Sequence, residues 1–85
     1  MEDAAWTVYM IETDDGKLYT GITKNLEKRF NEHLQKKQGA KFFRISKPES
    51  IVHKEQFNTR SEASKREAAI KKMTRAKKLE MISSR

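Results

Sequence analysis

Residues 6–23, WTVYMIETDDGKLYTGIT, constrain the fold more than any other stretch of the chain. Two runs rich in β-branched and aromatic residues, 6–13 and 17–23, flank an Asp-Asp-Gly triplet. Such runs read as strands, and Gly16 can supply the positive φ of a tight hairpin turn. Loop length then decides which side chains share a face. With two or four loop residues, Tyr9 and Tyr19 project from opposite faces. With three, residues 14–16, Thr13 pairs with Lys17, Ile11 with Tyr19 and Tyr9 with Gly21. That register gathers Val8, Met10, Leu18 and Ile22 into one core layer and puts both tyrosines on the other face. The hydrophobic pattern therefore selects the three-residue loop. Gly21 falls opposite Tyr9, and its missing side chain predicts a recess beside two phenols. A glycine inside a strand often marks the close approach of a ligand or of another backbone.

The rest of the chain reads as helices around this hairpin. Asn25 can cap a helix running to about Lys37 and closed by Gly39, with Leu26, Phe30 and Leu34 as its apolar stripe. Residues 39–50 read as an irregular segment with Pro48 as a breaker. Residues 51–57, IVHKEQF, form a short third strand. Thr59 and Glu62 match a capping box ahead of a helix to about Met73. Thr74 can cap a final short helix carrying Leu79 and Ile82. The order ββαβαα predicts an α+β domain on a small three-stranded antiparallel sheet. It spans residues 6–82, with 1–5 as a disordered N-terminus and 83–85 as a C-terminal tail. Trp6 and Phe57 are expected in the core, and His53 as an ordinary strand residue.

Composition narrows the partners. The 85 residues suffice for one domain with a modest core. Nineteen Lys and Arg against twelve Asp and Glu give a net charge of +7, with the excess mostly after Lys24. That balance suits a polyanion, nucleic acid first. The absence of cysteine excludes disulfides and thiolate metal sites. No apolar run reaches the roughly 18 residues of a membrane span, and the start MEDAA does not resemble a signal peptide. A cytoplasmic protein with no membrane association is expected.

Three polar residues stand where a plain helix would not need them. Arg29 and His33 fall about 60° and 20° from Leu26 on the helical wheel, at the border of the apolar stripe. Their i, i+4 spacing stacks them on one face. Glu67 projects about 40° from Ala63, inside the stripe marked by Ala63, Ile70 and Met73. A carboxylate turned inward needs a cation, hydrogen-bond donors or a metal. A plain ion pair with Lys71, four residues on, would leave its inward direction unexplained.

Two tyrosines, Arg29, His33 and Glu67 on this element order resemble a GIY-YIG nuclease domain. TVY (7–9) stands for the first motif and YTG (19–21) for the second; residues 23–33 and 61–72 are similar to the family's arginine- and glutamate-bearing helices. The likeness covers nearly the whole chain. It is nearest to small stand-alone bacterial members akin to structure-specific endonucleases. Thr7 stands where glycine is usual, and residues 73–81 lack an asparagine that many members carry.

The resemblance implies a metal-dependent endonuclease acting on DNA, in repair or recombination. Glu67 would hold a single Mg²⁺ or Mn²⁺. Arg29 would clamp phosphoryl oxygens with its fork of donors. Tyr9 or Tyr19 would take a proton from water, with His33 as proton acceptor. Gly21 would leave room for the scissile phosphate. Lys24, Lys41, Arg44, Lys47 and Lys71 would bind nucleic acid. Lys41, Arg44 and Lys47 sit with Phe42 and Phe43 in a mixed cationic and aromatic segment. The alternatives are a nucleic-acid-binding module of the same fold without turnover, and an accessory subunit of another nuclease. A protein partner could supply substrate specificity.

Overall fold

A computed structural model describes residues 5–35 and 46–83. Its strands are β1 (Trp6–Thr13), β2 (Leu18–Thr23) and β3 (Pro48–Phe57). Its helices are α1 (Leu26–Gln35), α2 (Arg60–Lys71) and α3 (Arg75–Ser83). The sheet is antiparallel in the order β2-β1-β3, so β1 is its middle strand.

The hairpin takes the three-residue loop. Tyr9 pairs with Gly21 and Ile11 with Tyr19, and the Thr13 N–H donates to the Lys17 carbonyl at 2.9 Å. Gly16 adopts φ +85°, a left-handed conformation that glycine enters without a Cβ clash. Polar contacts fix this turn from both sides. Ser46 Oγ donates to Asp15 Oδ2 at 2.9 Å, the Asp14 N–H donates to the Lys47 carbonyl, and the Arg75 guanidinium donates to the Gly16 carbonyl at 2.7 Å. The start of β3 and the N-terminus of α3 are thus both tied to the hairpin tip.

Alternation along β1 supplies two cores. Val8 and Met10 pack with Ala63 and Ile70 of α2, with Leu18, Ile22, Met81 and Ile82 around them. Tyr9 and Ile11 face the other way, against Tyr19 and the Leu26 and Phe30 side chains of α1. Ile70 is fully buried, so truncation to alanine would cost about 2–5 kcal/mol. Trp6 and Phe57, expected in the core, lie half-buried against the edge of the α2 layer.

Capping follows the sequence. Asn25 Oδ1 accepts from the Lys28 N–H at 3.1 Å, Thr59 Oγ1 from Glu62 N–H at 3.1 Å, and Thr74 Oγ1 from Lys77 N–H at 3.2 Å. Each hydroxyl or amide oxygen satisfies one of the unpaired donors of a helix start.

Two expectations change. Pro48 opens β3 instead of breaking the chain before it. A proline costs an edge strand little when it is the first residue and no ladder bond needs its nitrogen. The β1–β3 register also shifts between Met10 and Ile11 and between Glu12 and Thr13. On α1, Leu34 is 47 % exposed while His33 is fully buried. The buried side of the helix therefore turns toward His33, because the side chain it meets there is the polar end of Tyr9. Gly39, Lys41, Phe42, Phe43 and Arg44 lie outside the described residues.

Candidate active site

The α1-facing side of the sheet brings together Tyr9, Tyr19, Arg29 and His33. The Tyr9 hydroxyl lies 3.2 Å from Nε2 of His33, and both side chains are buried. The Tyr19 ring completes the cluster, 6.3 Å from that of Tyr9 and edge-on to the imidazole at 5.6 Å. Arg29 hydrogen-bonds to Tyr9 and ion-pairs with Glu32 at 3.2 Å. One turn of helix separates Arg29 from His33, so α1 delivers a cation and a proton acceptor to the same phenol.

Electrostatics set the protonation states. Burial, aided by the neighbouring Tyr19, pushes the Tyr9 hydroxyl from 10.0 up to about 12; Arg29 opposes this and Glu67 adds to it. Burial and the Arg29 charge hold His33 below its usual value, against a smaller opposite pull from Glu32. At neutral pH the pair is therefore a protonated phenol and a neutral imidazole. With its proton on Nδ1, that imidazole accepts a hydrogen bond from the phenol at Nε2.

The recess expected at Gly21 is filled. A Cβ added there would lie 2.6 Å from the Tyr9 hydroxyl, 2.8 Å from Cζ of the same ring and 3.2 Å from Tyr19 Cε2. The phenols themselves occupy the space, so Tyr9 is what requires glycine at position 21. The room inferred for a phosphate is not open in this conformation.

Glu67 approaches from α2, on the opposite layer. It is half-buried and pairs with Lys71 at 3.2 Å, and it lies within electrostatic reach of Tyr9. Among the described residues no three acidic, histidine or cysteine side chains cluster as metal ligands. A lone carboxylate suits Mg²⁺, which keeps several waters and completes its octahedron with substrate phosphate. The donor set at Glu67 fits that ion and would not suit a closed all-protein site.

Among the described residues, the basic side chains expected to bind nucleic acid do not form one patch. Lys24 lies at the far end of β2 and places its ammonium 5.5 Å from the centre of the Trp6 ring. Lys47 is exposed beside the hairpin turn, with its N–H donating to Asp14 Oδ1. The six residues of β2 separate these two ends by about 20 Å. Lys71 is held by Glu67.

Sequence reasoning missed a second polar cluster. Arg66 donates from Nε and an Nη to both oxygens of Glu55, at 2.9 and 3.0 Å, and His53 Nε2 meets the same carboxylate at 2.7 Å. His53 is thus a network member. Its link to Arg66 joins β3 to α2 and has no local spacing signature.

Comparison with known proteins agrees with this architecture. A model of the GIY-YIG catalytic domain matches residues 5–80. The chain belongs to the GIY-YIG family. This is a nuclease family, so nucleic acid is the substrate class that membership implies. A UPF0213 protein of Staphylococcus saprophyticus is 47 % identical over 76 residues, 89 % of this chain and 92 % of its own length. One of Syntrophus aciditrophicus is 49 % identical over 75 residues, 88 % of this chain and 86 % of that one. The solution NMR structure of a UPF0213 protein from Bacillus halodurans superposes with a TM-score of 0.62 at 33 % identity, covering 95 % of this chain and 85 % of that chain. A protein from E. faecalis superposes at 0.63 and 37 % identity, covering 98 % and 90 %. The GIY-YIG sheet and helices are common to these structures, and no helix among the described residues is long and apolar enough to cross a membrane.

Proposed function

We propose that this GIY-YIG chain is a metal-dependent endonuclease hydrolysing phosphodiester bonds in DNA, with structure-specific substrates from repair or recombination. The single observation that carries the catalytic reading is the Tyr9–His33 contact at 3.2 Å, with Arg29 on the same phenol. A phenol pushed up to about 12 is not a standing phenolate at neutral pH. It can act as a base only if its own proton leaves as another arrives. His33, kept neutral, supplies that sink. Water loses a proton to the Tyr9 oxygen, the Tyr9 proton passes to Nε2 of His33, and the hydroxide oxygen forms the new bond to phosphorus. The bond from phosphorus to the leaving oxygen breaks, and that oxygen is protonated from solvent.

Arg29 answers the charge that builds on the non-bridging oxygens, where a planar fork of donors suits a phosphoryl group. It would exchange its Glu32 partner for phosphate. Glu67 would hold a divalent ion, which when bound supplies Lewis-acid stabilisation of the phosphoryl oxygens.

The burial of Tyr9, 1 % exposed, favours a second reading, a nucleic-acid-binding module without turnover, because catalysis requires water to reach that oxygen. The deciding experiment is cleavage of flap, splayed-arm and single-stranded DNA with Mg²⁺ or Mn²⁺, with Glu67→Ala as control. Cleavage that the variant loses supports the enzyme. Binding without cleavage supports the module, and neither activity supports the accessory subunit.

A further inference from the structure

Trp6 has a role that the catalytic cluster does not use. Its half-buried side chain packs against the core layer under α2, and the residue also lines an open groove of about 320 Å³ at the far end of β2. Lys24, Asn25, Lys28, Arg29 and Glu32 line the same groove. Two cations sit over the indole, Lys24 Nζ at 5.5 Å and the Arg60 guanidinium at 5.6 Å. Glu32 is the one acid of the lining, and Arg29 neutralises it at 3.2 Å.

We propose that this groove is a nucleotide subsite in which one unpaired base stacks on Trp6 while Lys24 and Lys28 meet the phosphates beside it. The proposal rests on the nuclease reading and names the kind of strand that site accepts. The volume suits a single base with its sugar, at the small end of ligand sites. Every base has a π face, so an indole flanked by cations holds it without regard to sequence. Lys24, Lys28 and Arg60 are exposed, so the two cations over the ring can yield it to a base and turn to phosphate. Arg29 both lines the groove and touches Tyr9, so the stacked nucleotide lies next to the phosphate to be cut. A base inside a duplex already has both faces covered by its neighbours. The subsite therefore selects single strands, flaps or frayed ends.

Trp6 is the only tryptophan of the chain, so indole emission, excited selectively over tyrosine, reports on this ring alone. The test titrates the full chain, in EDTA to prevent cleavage, with a six-nucleotide oligothymidylate, an abasic oligomer of the same length and a blunt duplex. Binding is followed independently by anisotropy of labelled strands. The expected result is saturable quenching by oligothymidylate, little by the duplex, and roughly five- to one-hundred-fold weaker binding of the abasic strand. Trp6→Ala should weaken oligothymidylate by the same factor and leave the abasic strand unchanged. Trp6 also packs on the core, so if that variant does not fold, the emission and abasic comparisons on the unaltered chain decide. Anisotropy showing tight binding with unchanged emission, equal affinity for the abasic strand, or equal quenching by the duplex overturns the subsite while leaving the nuclease reading intact. No binding of any strand overturns both.

Discussion

Position 21 is shaped by Tyr9: a Cβ there would lie 2.6 Å from the Tyr9 hydroxyl and 2.8 Å from its ring carbon Cζ. Both contacts are closer than side chains tolerate, and the ring cannot retreat without leaving His33. Gly21→Ala should therefore destabilise the fold by about 1–3 kcal/mol, as overpacking does. Urea denaturation would measure this, and DNA cleavage should fall with the displaced phenol. Unchanged stability would mean that Tyr9 has somewhere else to go.

The protonation states of Tyr9 and His33 set two pH limits. His33 is held below its ordinary value by burial and Arg29. Below about pH 6.5 the unfolded chain binds a proton that the folded chain refuses. Stability from this group is thus full above that pH and is lost as pH falls toward the depressed folded value. Tyr9 behaves oppositely: raised from 10.0 to about 12, its contribution is full below pH 10 and is lost as pH climbs through that window. Denaturant midpoints against pH should show both limbs. His33→Gln should flatten the acid one and Tyr9→Phe the alkaline one. Cleavage should fail on the acid side, where a protonated imidazole accepts nothing from the phenol.

Arg29 should matter more to rate than to affinity, because charge grows on the phosphoryl oxygens only as water attacks. Arg29→Ala should slow single-turnover cleavage by roughly 10²–10³-fold and weaken binding far less. Arg29→Lys should recover little, since an ammonium lacks the planar fork. An equal loss of rate and affinity would make Arg29 a binding residue.

Lys71 competes for the Glu67 carboxylate, 3.2 Å away. Removing that charge should let a divalent ion bind more easily, so Lys71→Ala should lower the Mg²⁺ concentration for half-maximal cleavage. Stability should change by only about 0.3–0.5 kcal/mol, as for other i, i+4 helix pairs, because the Lys71 end of the pair is exposed. Glu67→Gln should need more metal than the unaltered chain and recover partly when Mn²⁺ is raised. A metal response unchanged in both variants would remove Glu67 from the site.

Binding by a chain of net charge +7 should depend on salt. With about five phosphates engaged, log K should fall against log[salt] with a slope of about −3.5 to −4.5. A flat response in fluorescence anisotropy would count against the basic surface as the binding face.

The hairpin register was legible because two independent signals agreed, a turn glycine and a face of apolar residues that only one loop length assembles. Arg29 and His33 were legible as polar residues bordering an apolar stripe. The occupant of the space at Gly21 was not, because a glycine shows that something comes close and does not say what. Nor were the Arg66–Glu55–His53 network and the two cations over Trp6. Those contacts join residues from different elements, so no periodicity within one element reports them. Pro48 misled because whether a proline ends or opens a strand depends on its neighbour in the sheet.

In β1 the residues that hold the molecule together and the residue proposed to do its chemistry are consecutive: Val8 and Met10 anchor one layer, and Tyr9 between them points into the other. No separate loop carries the phenol, so it has no freedom to melt ahead of its surroundings. Warming should then find no folded but idle form. Catalytic decay and loss of tertiary structure should follow a single curve, and amide protons of this middle strand should exchange only when the whole domain opens.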